Sequence, residues 1–154
     1  MGWANTVLMY SEILFPTDGS DESDAVLDHA IDLAKRYDAT LEGLFVGDQR
    51  SYTGLAGDMD REQIREAQQS LGSEALDAVR SKAESEGVDV STAQTIGIPP
   101  EEILETIETD DIDLVVMGTH GRTGIRRALL GSVAENVIRQ SPVPIHLVPV
   151  GDVE

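Results

Sequence analysis

Glycines recur at a distinctive spacing in the stretch GTHGRTGIRRALLGS near the end of the chain. Gly118, Gly121, Gly131 and Ser132 form the pattern G-x₂-G-x₉-G-S. Glycine lets the backbone approach a phosphate closely, and loop amides that lead into a helix can converge on an anion. A serine at the start of that helix can cap it and also donate its hydroxyl to a phosphate. These residue types therefore predict an anion-binding loop.

This spacing differs from those of two better-known phosphate loops. A P-loop requires G-x₄-G-K-[ST], but the stretch contains no lysine. A dinucleotide fingerprint requires G-x-G-x-x-G directly after the first strand of a βαβ unit, whereas this pattern is late in the chain. The remaining alternative is an ordinary surface loop with turn glycines.

Local charge favours the anion site over an ordinary turn. The chain has 11 basic and 29 acidic residues and a formal net charge of −18, yet residues 118–140 contain four arginines and one acid, Glu135. A basic island in so acidic a chain is what phosphate binding requires. Arg122 and Arg126 are candidates for that contact, with solvation or pairing to Glu135 as the alternative.

The elements that must position this loop alternate along the chain. Apolar runs bounded by turn residues predict strands, and apolar residues at helical spacing predict helices. The predicted strands are residues 12–16, 40–46, 88–96, 113–117 and 143–150. The predicted helices begin near residues 21, 58, 99 and 132. The buried side of the first is predicted at Val26, Ala30, Leu33, Ala34 and Tyr37, and that of the second at Ile64, Ala67, Leu71, Ala75, Ala78 and Val79.

Five strands that alternate with four helices predict an α/β fold, with a parallel sheet covered on both faces. In a doubly wound sheet of order 3-2-1-4-5, the switch point lies between the first and fourth strands, where ligands bind. Those strands end at Pro16-Thr17-Asp18 and at Met117-Gly118. Both turns are therefore predicted to face one crevice.

The glycine pattern, followed by VAENVIRQSPVPIHLVP, resembles the universal stress protein family in its ATP-binding branch. The stretch YSEILFPTDGS, which begins at Tyr10, resembles the first strand and turn of that family. The likeness runs from about Met9 to Val150. It implies a single domain at residues 9–150 with an adenine-nucleotide alpha-hydrolase-like fold, between an extension at 1–8 and a tail at 151–154. It also implies a cytoplasmic, stress-responsive regulator that binds ATP.

The resemblance also assigns roles in the crevice. Asp18 would accept hydrogen bonds from a ribose or hold Mg²⁺ through water, with capping of the first helix as the alternative. Val46 would offer main-chain groups to an adenine edge, with a plain core role as the alternative. No catalytic residue or direct metal ligand is assigned. The nucleotide-binding set is Pro16, Thr17, Asp18, Val46, Met117, Gly118, His120, Gly121, Arg122, Gly131, Ser132 and Val133.

Family members commonly pair through their last strand, which implies a homodimer through the segment from Val143 to Val150. Its prolines suit an edge strand. The alternative function is a slow ATPase or adenylyl-transferring enzyme in the same pocket, and a scaffold without ligand is a third class. A Ser-His-Asp hydrolase of Ser132, His120 and Asp18 is disfavoured, because LGSVA is not a G-x-S-x-G elbow.

Composition excludes several other classes. The chain has no cysteine, so disulfides and thiolate metal sites are excluded. No H-E-x-x-H spacing occurs, and His29 and His146 are interpreted as structural. No transmembrane or signal segment is expected. The negative charge disfavours nucleic acid and anionic membranes, and abundant acid with scarce lysine predicts a halophilic protein solvated at high salt.

Overall fold

A computed structural model describes residues 9–50, 60–119 and 130–150. The predictions for the extension at 1–8, the tail at 151–154 and for His120, Gly121 and Arg122 lie outside the described residues. Within these ranges, strands and helices alternate as predicted. The strands are β1 Glu12–Thr17, β2 Thr40–Asp48, β3 Val90–Gly97, β4 Leu114–Gly118 and β5 Ile145–Val148. The helices are α1 Glu22–Tyr37, α2 Arg61–Ser85, α3 Pro99–Thr109 and α4 Ser132–Gln140.

The strands form one parallel sheet in the order β3-β2-β1-β4-β5. This confirms the predicted fold class and strand order, including the edge position of β3. β1 lies directly beside β4, with Ile13 opposite Leu114 and Leu14 opposite Val115. The chain therefore returns to the centre of the sheet after building β2 and β3 on one side, and a switch point separates β1 from β4.

Apolar side chains bury both faces of the sheet, because successive residues of a strand point to opposite sides. Ile13 and Phe15 pack in one cluster with α1 and α2, while Leu14 packs in a second cluster with α3 and α4. All three are essentially inaccessible to solvent. Within the described ranges, no helix is both long enough and apolar enough to cross a bilayer.

The buried face of α1 is broader than predicted. Val26, Ala30 and Ala34 are buried as expected, but Leu27 and Ile31 are buried as well. The predicted Leu33 and Tyr37 are only partly buried, at the margin of the cluster. The helix therefore presents the wide apolar stripe that a sheet-packing helix needs.

The predicted buried face of α2 is partly wrong. Ile64 and Val79 are buried, whereas Ala67 and Ala78 are exposed. Leu71 and Ala75 are half-buried, and the remaining core positions are Gly72, Leu76 and Ala83. Alanine carries a weak hydrophobic signal, so the periodicity did not define the orientation of this helix.

Gly72 explains why α2 lies so close to the sheet. A Cβ atom at this position would lie 2.6 Å from Phe45 Cδ1 and would also collide with the Gln94 amide. Real Cβ atoms do not approach other atoms so closely. The glycine therefore permits close helix–sheet contact and is not a site where the helix merely loses propensity.

Glu42 is a buried acid on the α3 side of the sheet, at 8% exposure. Because alternate residues of a strand point the same way, the Glu42 side chain lies on the same face of the sheet as the core residue Leu44. It hydrogen-bonds to Asp110 at the end of α3. Burial raises the pKa of Glu42 to about 8, and Asp110 and Glu12 add to the rise. This group stands at the amino end of the sheet, away from the switch-point crevice.

Candidate functional site

A cavity of about 510 Å³ opens at the carboxyl ends of β1, β2 and β4. This volume lies within the usual range for small-molecule sites, about 300–1,000 Å³. Nine predicted site residues line it, although they come from four separate segments of the chain. They are Pro16, Thr17, Asp18, Val46, Met117, Gly118, Gly131, Ser132 and Val133.

The turn after β1 is held by its own side chains. Asp18 Oδ1 accepts hydrogen bonds from the Ser20 amide at 2.9 Å and from the Ser23 hydroxyl at 3.1 Å. Thr17 Oγ1 accepts from the Gly19 amide at 3.1 Å, and Gly19 has a positive φ of 79°. Asp18 thus holds the turn that precedes α1, but the N-cap residue of α1 is Asp21, so the alternative role of Asp18 as the helix cap is wrong. Asp18 also borders the cavity.

α4 points its amino terminus into the cavity. Gly131 is the N-cap residue and Ser132 is the first residue of the helix, so the predicted capping by Ser132 is wrong. The first amides of a helix lack intrahelical acceptors and carry the positive end of the helix dipole. Ser132 and Val133 border the cavity, so these amino-terminal amides lie where they are chemically suited to an anion.

The end of β4 is anchored to β5 through Thr119, which is buried. Its amide donates to the Val148 carbonyl at 3.0 Å, and its Oγ1 accepts from the Val150 amide at 3.1 Å. The Thr119 carbonyl in turn accepts from the Gly131 amide at 2.7 Å. The position of α4 is therefore tied to the sheet by main-chain groups.

β2 extends past the end of β1 and exposes main chain to the cavity. Its pairing with β1 ends at Thr17 opposite Phe45, whereas its pairing with β3 continues to Asp48 opposite Gly97. The Thr40 amide donates to Ser11 on the β1 side, and alternate residues of a strand point the same way. The Val46 carbonyl therefore points to the β1 side, at the cavity.

Sequence reasoning missed an ion pair at this edge. The Arg50 guanidinium donates hydrogen bonds to both carboxylate oxygens of Asp48, from Nη2 to Oδ2 at 2.7 Å and from Nε to Oδ1 at 2.9 Å. These hydrogen bonds lower the pKa of Asp48 and raise that of Arg50. Both residues border the cavity. The polar segment after β2 was predicted to be irregular, and nothing in its pattern indicated a side chain directed at the crevice.

Gln68 is a second residue that the pattern did not indicate. Its Nε2 donates to the Asp48 carbonyl at 3.2 Å and so fastens α2 to the end of β2. Its Oε1 is buried and has no hydrogen-bond partner among the residues that the structure describes. Because Gly47 has no Cβ, the Gln68 amide can lie directly over the strand.

Comparison with known proteins identifies the family. The universal stress protein family model matches residues 9–149, nearly the whole chain. The chain belongs to the universal stress protein family. The resemblance in the glycine pattern and first turn is thereby confirmed.

Two similar universal stress proteins are MJ0531 and MJ0577 of Methanocaldococcus jannaschii. The first is 43% identical over 140 residues, covering 91% of this chain and 82% of the relative. The second is 34% identical over 157 residues, covering 92% of this chain and 96% of the relative. Both alignments therefore extend across the sheet and the cavity.

Solved structures of universal stress proteins share the fold. The structure of MJ0577 superposes with a TM-score of 0.78 at 32% identity, covering 94% of this chain and 99% of that one. A universal stress protein solved in complex with cAMP superposes with a TM-score of 0.69 at 27% identity, covering 91% and 97%. The five-stranded parallel sheet is thus the architecture that these proteins have in common.

Metal chemistry has little support near this cavity. Within the described ranges, no group of three or more His, Asp or Glu side chains is arranged to hold a metal ion.

Proposed function

We propose that this universal stress protein binds ATP in the cavity between β1 and β4 and acts as a cytoplasmic, stress-responsive regulator. One observation carries the proposal: nine predicted site residues from four segments of the chain border a single cavity, and the amino terminus of α4 lies at that cavity. The volume of about 510 Å³ suits a nucleotide-sized ligand. The similar universal stress protein solved with cAMP supports an adenine nucleotide as that ligand.

The chemistry of the lining suggests how the nucleotide lies. We assign the phosphates to the amides of Ser132 and Val133, because free helical amides and the helix dipole favour an anion. Gly118 allows the backbone to pass close to them, and His120, Gly121 and Arg122 remain predicted contacts. Asp18 is assigned to the ribose, or to Mg²⁺ through water.

The base is assigned to the end of β2. The Val46 carbonyl points to the β1 side of β2, beyond the end of β1, where it can accept a hydrogen bond from the adenine amino group. Leu71, Ile103 and Met117 supply apolar walls for the ring. Arg50 adds a guanidinium group at the same edge. Its two hydrogen bonds to the Asp48 carboxylate hold the chain in place directly after β2.

We also propose that two copies pair through β5. β5 is at the edge of the sheet: it pairs with β4 on one side, and no strand of the described chain pairs with its other side. Ile145 and Leu147 are only half-buried, and Ile138 of α4 is 41% exposed. An edge strand with incompletely covered apolar residues is suited to pairing with a second copy.

The test is direct measurement of nucleotide binding. Purified protein is denatured and the released nucleotides are identified by mass spectrometry. Calorimetry with ATP, ADP, AMP and cAMP, each with and without Mg²⁺, then defines the preference. We expect one ATP per chain, and failure of every adenine nucleotide to bind contradicts the proposal. Timed measurement of ADP and AMP release separates a regulator from the alternative slow ATPase or adenylyl transferase.

A further inference from the structure

Two histidines that are far apart in sequence meet on the surface, outside the nucleotide cavity. His29 is on α1 and His146 is on β5, and their ring centroids lie 5.7 Å apart with 39° between the ring planes. His146 lies opposite Val116 of β4, which belongs to the core cluster beneath α1. The two imidazoles therefore meet in the groove between α1 and the edge strand.

Both imidazoles are accessible to ions in solution, because both residues are exposed. Contact between two exposed rings buries little surface, so packing gives it little stabilisation. The same separation suits a shared ligand. Zinc binds imidazole nitrogen at about 2.0–2.1 Å with tetrahedral angles, which places the centroids of two bound rings roughly 5 Å apart.

Charge favours a cation at this position. The chain has a formal net charge of −18, which raises the local concentration of divalent cations. Asp28 and Asp32 flank His29 on α1, and they are engaged by Lys82 and Arg36 respectively. The Asp28–Lys82 pair therefore joins α1 to α2, while the Asp32–Arg36 pair lies within α1.

We propose that His29 and His146 form a binding site for a late first-row divalent cation such as Zn²⁺, Ni²⁺ or Cu²⁺. Imidazole suits these metals, whereas Mg²⁺ and Ca²⁺ prefer oxygen ligands. No third His, Asp or Glu completes a metal cluster in the described parts of the chain, so water fills the remaining positions. Neither histidine borders the nucleotide cavity, and His146 lies on β5, the strand through which we propose that two copies pair.

The test is zinc titration of the full, chelator-stripped protein by calorimetry, in excess Mg²⁺ to occupy carboxylates. We expect one Zn²⁺ per chain. Removing a metal ligand costs at least as much as removing its outer-shell partner, so His29→Ala and His146→Ala should each weaken binding by about tenfold or more. His120→Ala is the matched control, because it removes the third histidine of the chain and should leave zinc affinity unchanged.

A second measurement separates ligation from a structural effect of the variants. Zinc should shift the imidazole nitrogen resonances of His29 and His146 together and leave His120 unshifted. Thermal melting in the absence of zinc should show that each variant is folded. The proposal is overturned if zinc does not bind in excess Mg²⁺, if either alanine variant binds it as the wild type does, or if His120→Ala abolishes binding.

Discussion

Gly131 donates its amide to the carbonyl oxygen of Thr119 over 2.7 Å. Because Thr119 is itself bonded to β5 at the Val148 carbonyl, the first turn of α4 takes its position from the sheet. Amides that are held in place before a ligand arrives do not lose freedom when it binds. The hydrogen bond between Gly131 and Thr119 thus explains how the amides at the start of α4 can be positioned before the proposed phosphate binds.

Replacing Gly131 with Asp tests the proposed phosphate position. Gly131 has φ −71° and ψ 160°, a conformation that any residue adopts, and Asp is a favoured N-cap residue. The helix should therefore form, while the carboxylate occupies the amides and repels phosphate. We expect ATP affinity, measured by calorimetry, to fall by about tenfold or more, equivalent to about 1.4 kcal/mol.

The matched control for this change is Gly131→Asn. Asparagine has nearly the same shape and also caps helices, but it carries no charge. It should retain more ATP than the aspartate variant. Equal ATP affinity in wild type and Gly131→Asp, with both proteins folded, would show that the phosphates bind elsewhere.

The fold and the location of the cavity could be predicted from local pattern. Asp18 and Gly118 each follow a short apolar strand, and parallel strands end at the same edge of a sheet. The alternation of strands and helices then limits the sheet to a few possible strand orders, so the sequence alone could predict that the two turns lie close together. The glycine pattern added the expected chemistry.

The side chains that reach the cavity from other elements could not be predicted in this way. Gln68 borders it because α2 lies close to the sheet, and that closeness depends on Gly72, which reads in sequence as a helix-weakening residue. Arg50, two residues after the end of β2, borders the cavity because its guanidinium is hydrogen-bonded to the Asp48 carboxylate. Such contacts arise from tertiary packing, and periodicity does not report them.

Gly72→Ala should destabilise the fold although alanine is the better helix former. Helix propensity favours alanine by about 1 kcal/mol, but the added Cβ would lie 2.6 Å from Phe45 Cδ1. Overpacking of this kind typically costs about 1–3 kcal/mol, so chemical denaturation should show a net loss of stability. Ser73→Ala is the control on the exposed side of α2 and should be neutral or slightly stabilising. A Gly72→Ala protein as stable as the control would contradict the close-contact role.

Glu42→Gln should make stability less dependent on pH. The folded state raises the pKa of Glu42 from its ordinary value of 4.5 to about 8, so the folded chain binds a proton that the unfolded chain releases between these values. The stability due to this proton is complete at low pH and is lost as pH rises through about 8. Glutamine keeps the neutral shape, so the variant should exceed the wild type at pH ~9 by roughly 2–4 kcal/mol.

Denaturation curves across this pH range measure the effect of Glu42. Glu105→Gln, the same change at an exposed position of α3, should leave the pH profile unaltered. If Glu42→Gln and wild type lose stability in parallel as pH rises, the buried carboxyl is not responsible for the pH dependence.

Leu147→Pro should separate two copies without removing the main-chain bonds from β5 to β4. The Pro144 carbonyl accepts from Val115 and the Val148 carbonyl accepts from Thr119, so even-numbered residues of β5 face β4. Alternate residues point the other way, and the Leu147 amide therefore faces the open edge of the sheet. Proline removes that donor and is tolerated on edge strands. Sedimentation should show a shift from dimer to monomer while ATP binding persists, whereas Leu147→Ala, which keeps the amide, should remain more dimeric. A wild-type protein that sediments as a monomer, or a proline variant as dimeric as the alanine one, would count against pairing through β5.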